Sequence, residues 1–218
     1  MSEILELPLE QINRLLEPGY LPLESGYMRM SNGYYLVAAL TRMPYCHRNM
    51  IEWWFAYGLS PKEHTQIYKL WHPIDHLHGA WDGRWSPGNY IGASHIVEET
   101  LGGRPPVAKL KISFQDPSDF YDTSKFEKAR ATAICARLYV REEAKELETG
   151  FMTHFVRDRD VGCEMRSRFW LKHSYASYEM AKNLFQHCVE EMRNLAVFLP
   201  YLYTIGTRIY NSGYIQRS

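Results

Sequence analysis

Cysteine is scarce and scattered: Cys46, Cys135, Cys163 and Cys188 are far apart, with no Cys-x-x-Cys pair. That spacing excludes a disulfide-stapled scaffold and a structural zinc ribbon, and predicts reduced, mostly buried thiols. Net charge is also missing, since 25 Lys plus Arg balance 25 Asp plus Glu. Without a bulk electrostatic pull toward phosphate backbones or anionic lipid, a general nucleic-acid binder is disfavoured. No run approaches the roughly 18 consecutive apolar residues of a spanning helix. The chain opens Met1-Ser2-Glu3, without the cationic segment and apolar run of an export signal. These absences predict a cytoplasmic enzyme or binding protein, with no membrane and no nucleic acid among its partners. No repeat, low-complexity tract or compositional break divides the chain, so residues 1–218 read as a single domain. Within it, 1–42 form a packing segment and 43–218 the core.

The chain does have what a packed core needs, with 45% hydrophobic and 23% charged residues. Aromatics reach 14%, with 16 Tyr and 6 Trp, and several of the 9 His are bunched between Cys46 and His95. An excess of Tyr and Trp fits a pocket for an aromatic ligand, although a Tyr-rich core and surface explain it more simply.

Periodicity orders the elements. Residues 5–16 have helical spacing (Leu5, Leu9, Ile12, Leu15, Leu16), stopped by Pro18-Gly19. Residues 26–40 contain the turn signal Ser31-Asn32-Gly33 and then a strand that Pro44 ends. A helix over 49–55 takes Asn49 as its cap and Gly58 as its stop. Ser60-Pro61-Lys62-Glu63 is a second start signal, for a helix carrying Tyr68 to Trp71. Residues 73–89, rich in Gly, Pro, Asp, His and Trp, read as an ordered functional loop. Strands follow over 91–100, 107–114, 132–140, 150–157 and 163–171, separated by turns and by the charged stretch 141–148. Residues 175–198 close the pattern as a helix with Met180, Leu184, Cys188 and Leu195 on one stripe. A meander of antiparallel strands ending in a long helix is an α+β arrangement; the tail 211–218 is expected to fray.

Three segments offer metal-ligating chemistry. His187 and Glu191 lie four apart on the last helix, one turn apart on one face, although such a pair also arises by chance on a half-exposed helix. His72, His76 and His78 crowd one loop, which serves equally as a polar rim. Glu98 and Glu99 end a strand, so alternation turns one of them inward, where a carboxylate needs a partner. Together these form a mixed nitrogen and oxygen donor set suited to zinc, with manganese or ferrous iron not excluded. Periodicity alone does not bring them together.

Several motifs in order resemble one known family: Met50-Ile51-Glu52-Trp53-Trp54-Phe55, then Tyr68-Lys69-Leu70-Trp71-His72-Pro73-Ile74-Asp75-His76, then Gly92-Ala93-Ser94-His95-Ile96-Val97-Glu98-Glu99, then Gly162-Cys163-Glu164-Met165-Arg166-Ser167-Arg168-Phe169-Trp170, and the His187/Glu191 pair. They look like the 2,4-diacetylphloroglucinol hydrolase family with its phloretin hydrolase-like members, over residues 43–191. The resemblance implies a Bet v 1-like helix-grip fold, a curved antiparallel sheet around a long C-terminal helix with extra N-terminal helices. It also implies a Zn2+-dependent hydrolase cleaving a carbon–carbon bond between an acyl group and a phenolic ring. Two His and two Glu ligate zinc in the family, and carry over onto His76, Glu99 or Glu98, His187 and Glu191. Glu99 is favoured over Glu98. His76 is favoured over His72 because Tyr68 precedes it by the family's eight residues.

By the same resemblance His154 and Tyr68 are the catalytic and substrate-binding candidates, as proton donors to the ring carbon or the oxyanion. Gly79 and Phe169 stand at substrate-binding positions where the family archetype has Asn and Tyr, so the resemblance does not specify the exact substrate. A role for His154 in proton transfer suits an imidazole titrating near neutrality. Trp53, Trp54, Trp71, Trp81 and Phe169 are candidate pocket walls or core. Arg166 and Arg168 most simply face water or pair with Asp158 and Asp160. The expected partner is a small aromatic or polyketide substrate. The competing functions are a helix-grip small-molecule binder and a cyclase or isomerase. No heptad specifies an assembly, though aromatic surface allows a homodimer.

Overall fold

The computed structural model describes residues 5–59, 64–142 and 145–211, with side chains to residue 208. The cap signal at 60–63 and the tail beyond 211 lie outside the described residues.

The sheet has eight strands, all paired antiparallel: β1 (Gly26–Arg29), β2 (Tyr35–Met43), β3 (His76–Trp81), β4 (Ser94–Glu99), β5 (Ala108–Gln115), β6 (Ala131–Glu142), β7 (Lys145–Asp158) and β8 (Cys163–Leu171). Their order is β1-β2-β8-β7-β6-β5-β4-β3. The meander from β3 to β8 thus closes against the β1–β2 hairpin. Between β2 and β3 lie α1 (Arg48–Trp53), a π-helical turn (Trp54–Gly58) and α2 (Thr65–Trp71); α3 (Phe126–Ala129) precedes β6. The long α4 (Tyr178–Asn211) packs on β1, β2 and α2. This is the α+β helix-grip arrangement. None of its helices is long and apolar enough to cross a membrane among the described residues.

Both faces of the sheet are covered, and strand alternation shows it. On β2, Val37 and Ala39 join the cluster under α4, with Cys188, Leu195 and Phe169, while Leu36 joins a second cluster with Leu7, Ile12, Leu15 and Trp170. The N-terminal segment, including the 3-10 helix Leu9–Leu16, therefore lies over the face opposite α4. All four cysteines are free and buried.

Besides α1, which has His47 rather than Asn49 at its cap and passes into the π-helical turn at Trp54, four expectations change. Residues 73–89 are not all loop, because His76–Trp81 pair with β4 as the sheet's edge strand. The segment carries His and Gly instead of β-branched residues, so its pairing partner, not propensity, makes it a strand. The charged stretch 141–148 is no separator, since β6 runs to Glu142 and β7 starts at Lys145, with Lys111 and Glu146 pairing across the exposed surface. The last helix continues past residue 198 through Pro200. Pro200 brings no N–H to the carbonyl of Ala196, which instead accepts the Cys46 thiol at 3.7 Å.

The fourth change concerns Arg166 and Arg168, which are buried at 1% and 0% exposure rather than solvated. Arg168 Nη2 lies 2.7 Å from Glu24 Oε2, Arg166 Nη1 donates to the Leu15 carbonyl at 2.8 Å, and Arg166 also pairs with Glu24. Asp158, the expected partner, instead accepts from the backbone N–H of Arg48. The N-terminal cover shuts these arginines from water, which strand alternation alone cannot reveal.

Candidate metal centre and cavity

Helix α2 ends one turn before β3 begins, and this tight connection places two rings together. The Tyr68 and His76 rings stack with centroids 3.6 Å apart and planes 5° apart. His76 Nδ1 donates to the Tyr68 carbonyl at 2.8 Å, which aims Nε2 the other way. That Nε2 is buried and makes no hydrogen bond. It faces two carboxylates, 3.4 Å from Glu191 Oε2 and 3.9 Å from Glu99 Oε2.

Each carboxylate comes from its own element. Pairing of β3 with β4 sets Glu99 opposite His76. Alternation turns Glu99 inward and buried, while Glu98 points out toward Lys109 of β5 at 3.7 Å. Across the cavity, α4 contributes His187 and Glu191, whose Nε2 and Oε2 are 2.9 Å apart. His76, Glu99 and His187 offer donor atoms within 4.8 Å of one another.

The electrostatics call for positive charge. Burial would lower the His187 pKa, but hydrogen bonds to Asp75 and Glu191 outweigh it and push the value up to about 10. Burial would likewise raise Glu191, and the His187 partnership holds it well below the usual carboxylate range. The buried carboxylates are thus balanced by a proton on His187 Nε2, a charge that a metal ion bound at that nitrogen would replace. The buried Nε2 of His76, two carboxylates and a second imidazole form a mixed nitrogen and oxygen donor set for a divalent metal, one protein ligand more than the usual catalytic zinc.

Tyr68 sits in the same shell, donating its hydroxyl to Glu99 Oε2 at 2.7 Å. Burial, with the Glu99 charge beside it, holds its pKa well above the usual value, so it keeps its proton. His154 on β7 is buried, with Nδ1 2.8 Å from Ser167 Oγ on β8. Burial lowers its pKa to about 4, so it is neutral at neutral pH, not titrating there as expected from sequence.

These groups open onto a cavity of about 140 Å³ between the sheet and α4. Its polar end holds Tyr68, Glu99, His187 and Glu191; Leu110, Leu138, Met152, Phe169 and Leu184 line the rest. Of the candidate aromatic walls, Phe169 and Trp71 line the cavity. Trp54 packs in the core against Trp71 and Phe198, Trp53 against Tyr203, and Trp81 stacks on Trp85. Gly79 lies behind Tyr68: a Cβ there would stand 2.9 Å from the Tyr68 ring and 3.1 Å from His95 Nε2. Glycine is what lets Tyr68 lie flat on β3.

Residues outside the sequence-based set also belong here. His95 lines the cavity, and its Nε2 is 2.7 Å from His64 Nε2. Asp75 receives His187 Nδ1 at 2.9 Å. His72 is not beside Glu99; its ring stacks on His187, centroids 4.5 Å apart. Asp75 lies within the His-rich segment, yet nothing in its spacing marks it.

A family model described as DAPG hydrolase PhiG domain matches residues 7–204. Phloretin hydrolase of Eubacterium ramulus is 26% identical over 196 residues, covering 77% of this chain and 67% of that protein. A 2,4-diacetylphloroglucinol hydrolase of Pseudomonas protegens is 23% identical over 235 residues, covering 93% and 75% respectively. Among solved structures, Ara h 8.0201 aligns with a TM-score of 0.49 at 9% identity, over 77% of this chain and 98% of that one.

Proposed function

The chain belongs to the DAPG hydrolase PhiG domain family, and from that premise we propose that it is a zinc-dependent hydrolase cleaving the carbon–carbon bond between an acyl group and a phloroglucinol-like phenolic ring, or a related β-diketone. The carrying observation is the buried His76 Nε2, without a hydrogen bond, facing Glu99 and Glu191 where these two and His187 line one end of a largely apolar cavity.

In such a reaction water adds hydroxyl to the acyl carbon and a proton to the ring carbon, giving a carboxylic acid and the deacylated ring. The ring carbon leaves with the bonding electrons, which requires the phenol first to tautomerise to a non-aromatic β-diketone. His76, Glu99, His187 and Glu191 would hold zinc, which supplies polarisation of the acyl carbonyl and a water nucleophile at neutral pH. The apolar wall holds the flat ring and excludes bulk water. Tyr68, protonated and tied to Glu99, offers a phenolic O–H at the polar end. His154, anchored through Nδ1 to Ser167, keeps Nε2 as its other polar atom for a ring hydroxyl or for the proton destined for the ring carbon.

Metal content of protein purified without added metal tests the reading. About one zinc per chain is expected in the wild type, lost in the His187→Ala/Glu191→Ala variant. Incubation with acylphloroglucinols should then release free carboxylic acid. Absence of metal from a chelator-free preparation would sink the mechanism. The apolar lining equally suits a binder or a cyclase, and product analysis separates them, since a cyclase or isomerase leaves the substrate mass unchanged.

A further inference from the structure

Asp75 occupies the turn between α2 and β3, is buried, and has every carboxylate lone pair in use. Oδ1 accepts from Thr100 Oγ1 at 2.7 Å and from the Gly103 N–H at 2.6 Å. Oδ2 accepts from the Gly102 N–H at 3.2 Å and from His187 Nδ1 at 2.9 Å. Three of these donors come from the segment after β4, so the carboxylate is fixed independently of the helix it touches. His72 completes the arrangement: its Nδ1 accepts from the Asp75 backbone N–H at 3.1 Å, and its ring lies parallel to that of His187, planes 9° apart. One side chain thus holds the edge of the His187 ring and another its face.

From this geometry we infer that Asp75 is a positioning residue, which with His72 brackets His187 so that Nδ1 carries the proton and Nε2 presents its lone pair to the metal. The inference rests on the zinc reading above. A carboxylate on the far nitrogen fixes the tautomer and ring orientation and raises the basicity of the ligating nitrogen, and losing such a partner typically weakens metal binding about 10–100-fold. Asp75 serves this role better than it would serve as a ligand itself, because its four donors leave no lone pair for a cation. His72, Asp75 and His187 also lie close enough to hold an ion among them, which makes a second metal the competing account.

The test is zinc affinity by chelator competition, with stoichiometry, for wild type, Asp75→Asn and Thr100→Val. Asn preserves shape but turns an amide N–H toward Nδ1, which favours the wrong tautomer. One zinc per chain is expected in the wild type, with affinity about 10–100-fold lower in Asp75→Asn and a smaller loss in Thr100→Val, which keeps the carboxylate and removes one donor. Long-range proton–nitrogen spectra of the zinc-loaded protein should show His187 protonated at Nδ1 in the wild type and in Thr100→Val, a signature that a merely structural defect would not alter. Wild-type zinc with unchanged affinity in Asp75→Asn overturns the bracket and leaves the zinc reading standing. Two zincs per chain, one of them lost in Asp75→Asn, overturns it in favour of a second metal site. A wild type that binds no zinc overturns both.

Discussion

The Tyr68 ring is held on three sides: His76 stacked on its face, Glu99 hydrogen-bonded to its hydroxyl, and Gly79, which has no Cβ, behind. Gly79→Ala would place a Cβ 2.9 Å from the ring, so the ring must shift from its stacked position on His76. Overpacking of this kind costs about 1–3 kcal/mol. Denaturant unfolding should show that loss, and it should weaken zinc binding. Tyr68→Phe keeps the stack and removes one proton donor. Metal content should hold while kcat falls about 10²-fold or more; an unchanged kcat would remove Tyr68 from the mechanism. His154 sets a pH dependence of stability. Its folded pKa of about 4 lies below the ordinary 6.5, so between those values the unfolded chain binds the extra proton. Stability is then fully present above about pH 6.5 and falls toward pH 4. The shift corresponds to roughly 3 kcal/mol, and His154→Gln should flatten that part of the curve in thermal unfolding followed against pH.

At the level of elements, β8 is buried along its whole length because α4 covers one of its faces and the N-terminal segment the other. The second face is held partly by charge. Glu24 is the carboxylate partner of both Arg166 and Arg168. Burial would raise its pKa, but hydrogen bonds from the two arginines and their charges prevail, holding it below the ordinary value. Its stabilisation is therefore present above the unfolded pKa and lost as pH falls through the lower folded one. Glu24→Ala leaves two buried guanidiniums without their carboxylate, and a loss of about 3–5 kcal/mol is expected in equilibrium unfolding. A change below 1 kcal/mol would mean that the backbone carbonyls of Leu15 and Leu23 satisfy the arginines unaided.

For the whole molecule, the site is the seam between the sheet's β3 edge, the last helix and the cavity between them. Binding of a flat ligand and binding of metal should separate cleanly, since the apolar wall comes from β5 to β8 and α4, and the ligands from β3, β4 and α4. Leu138→Trp, on β6, fills the apolar end. Turnover of acylphloroglucinols should fall through a raised KM, with zinc stoichiometry unchanged; retained KM would place the ligand elsewhere.

The order of most strands and of the long last helix is legible in the sequence because it depends on periodicity that neighbours along the chain impose. Two-residue alternation even shows that Glu98 and Glu99 must face opposite sides. Which of them faces inward depended on β4 lying between β3 and β5, a fact of pairing. The edge strand at His76–Trp81 has no propensity signal of its own and exists only because β4 lies beside it. Arg166 and Arg168 look solvated until a segment about 140 residues earlier in the chain covers them. Asp75 meets His187 across 112 positions. Local physics fixes what each segment can be, but burial and ligand convergence belong to contacts between segments, and only the closed fold makes those contacts.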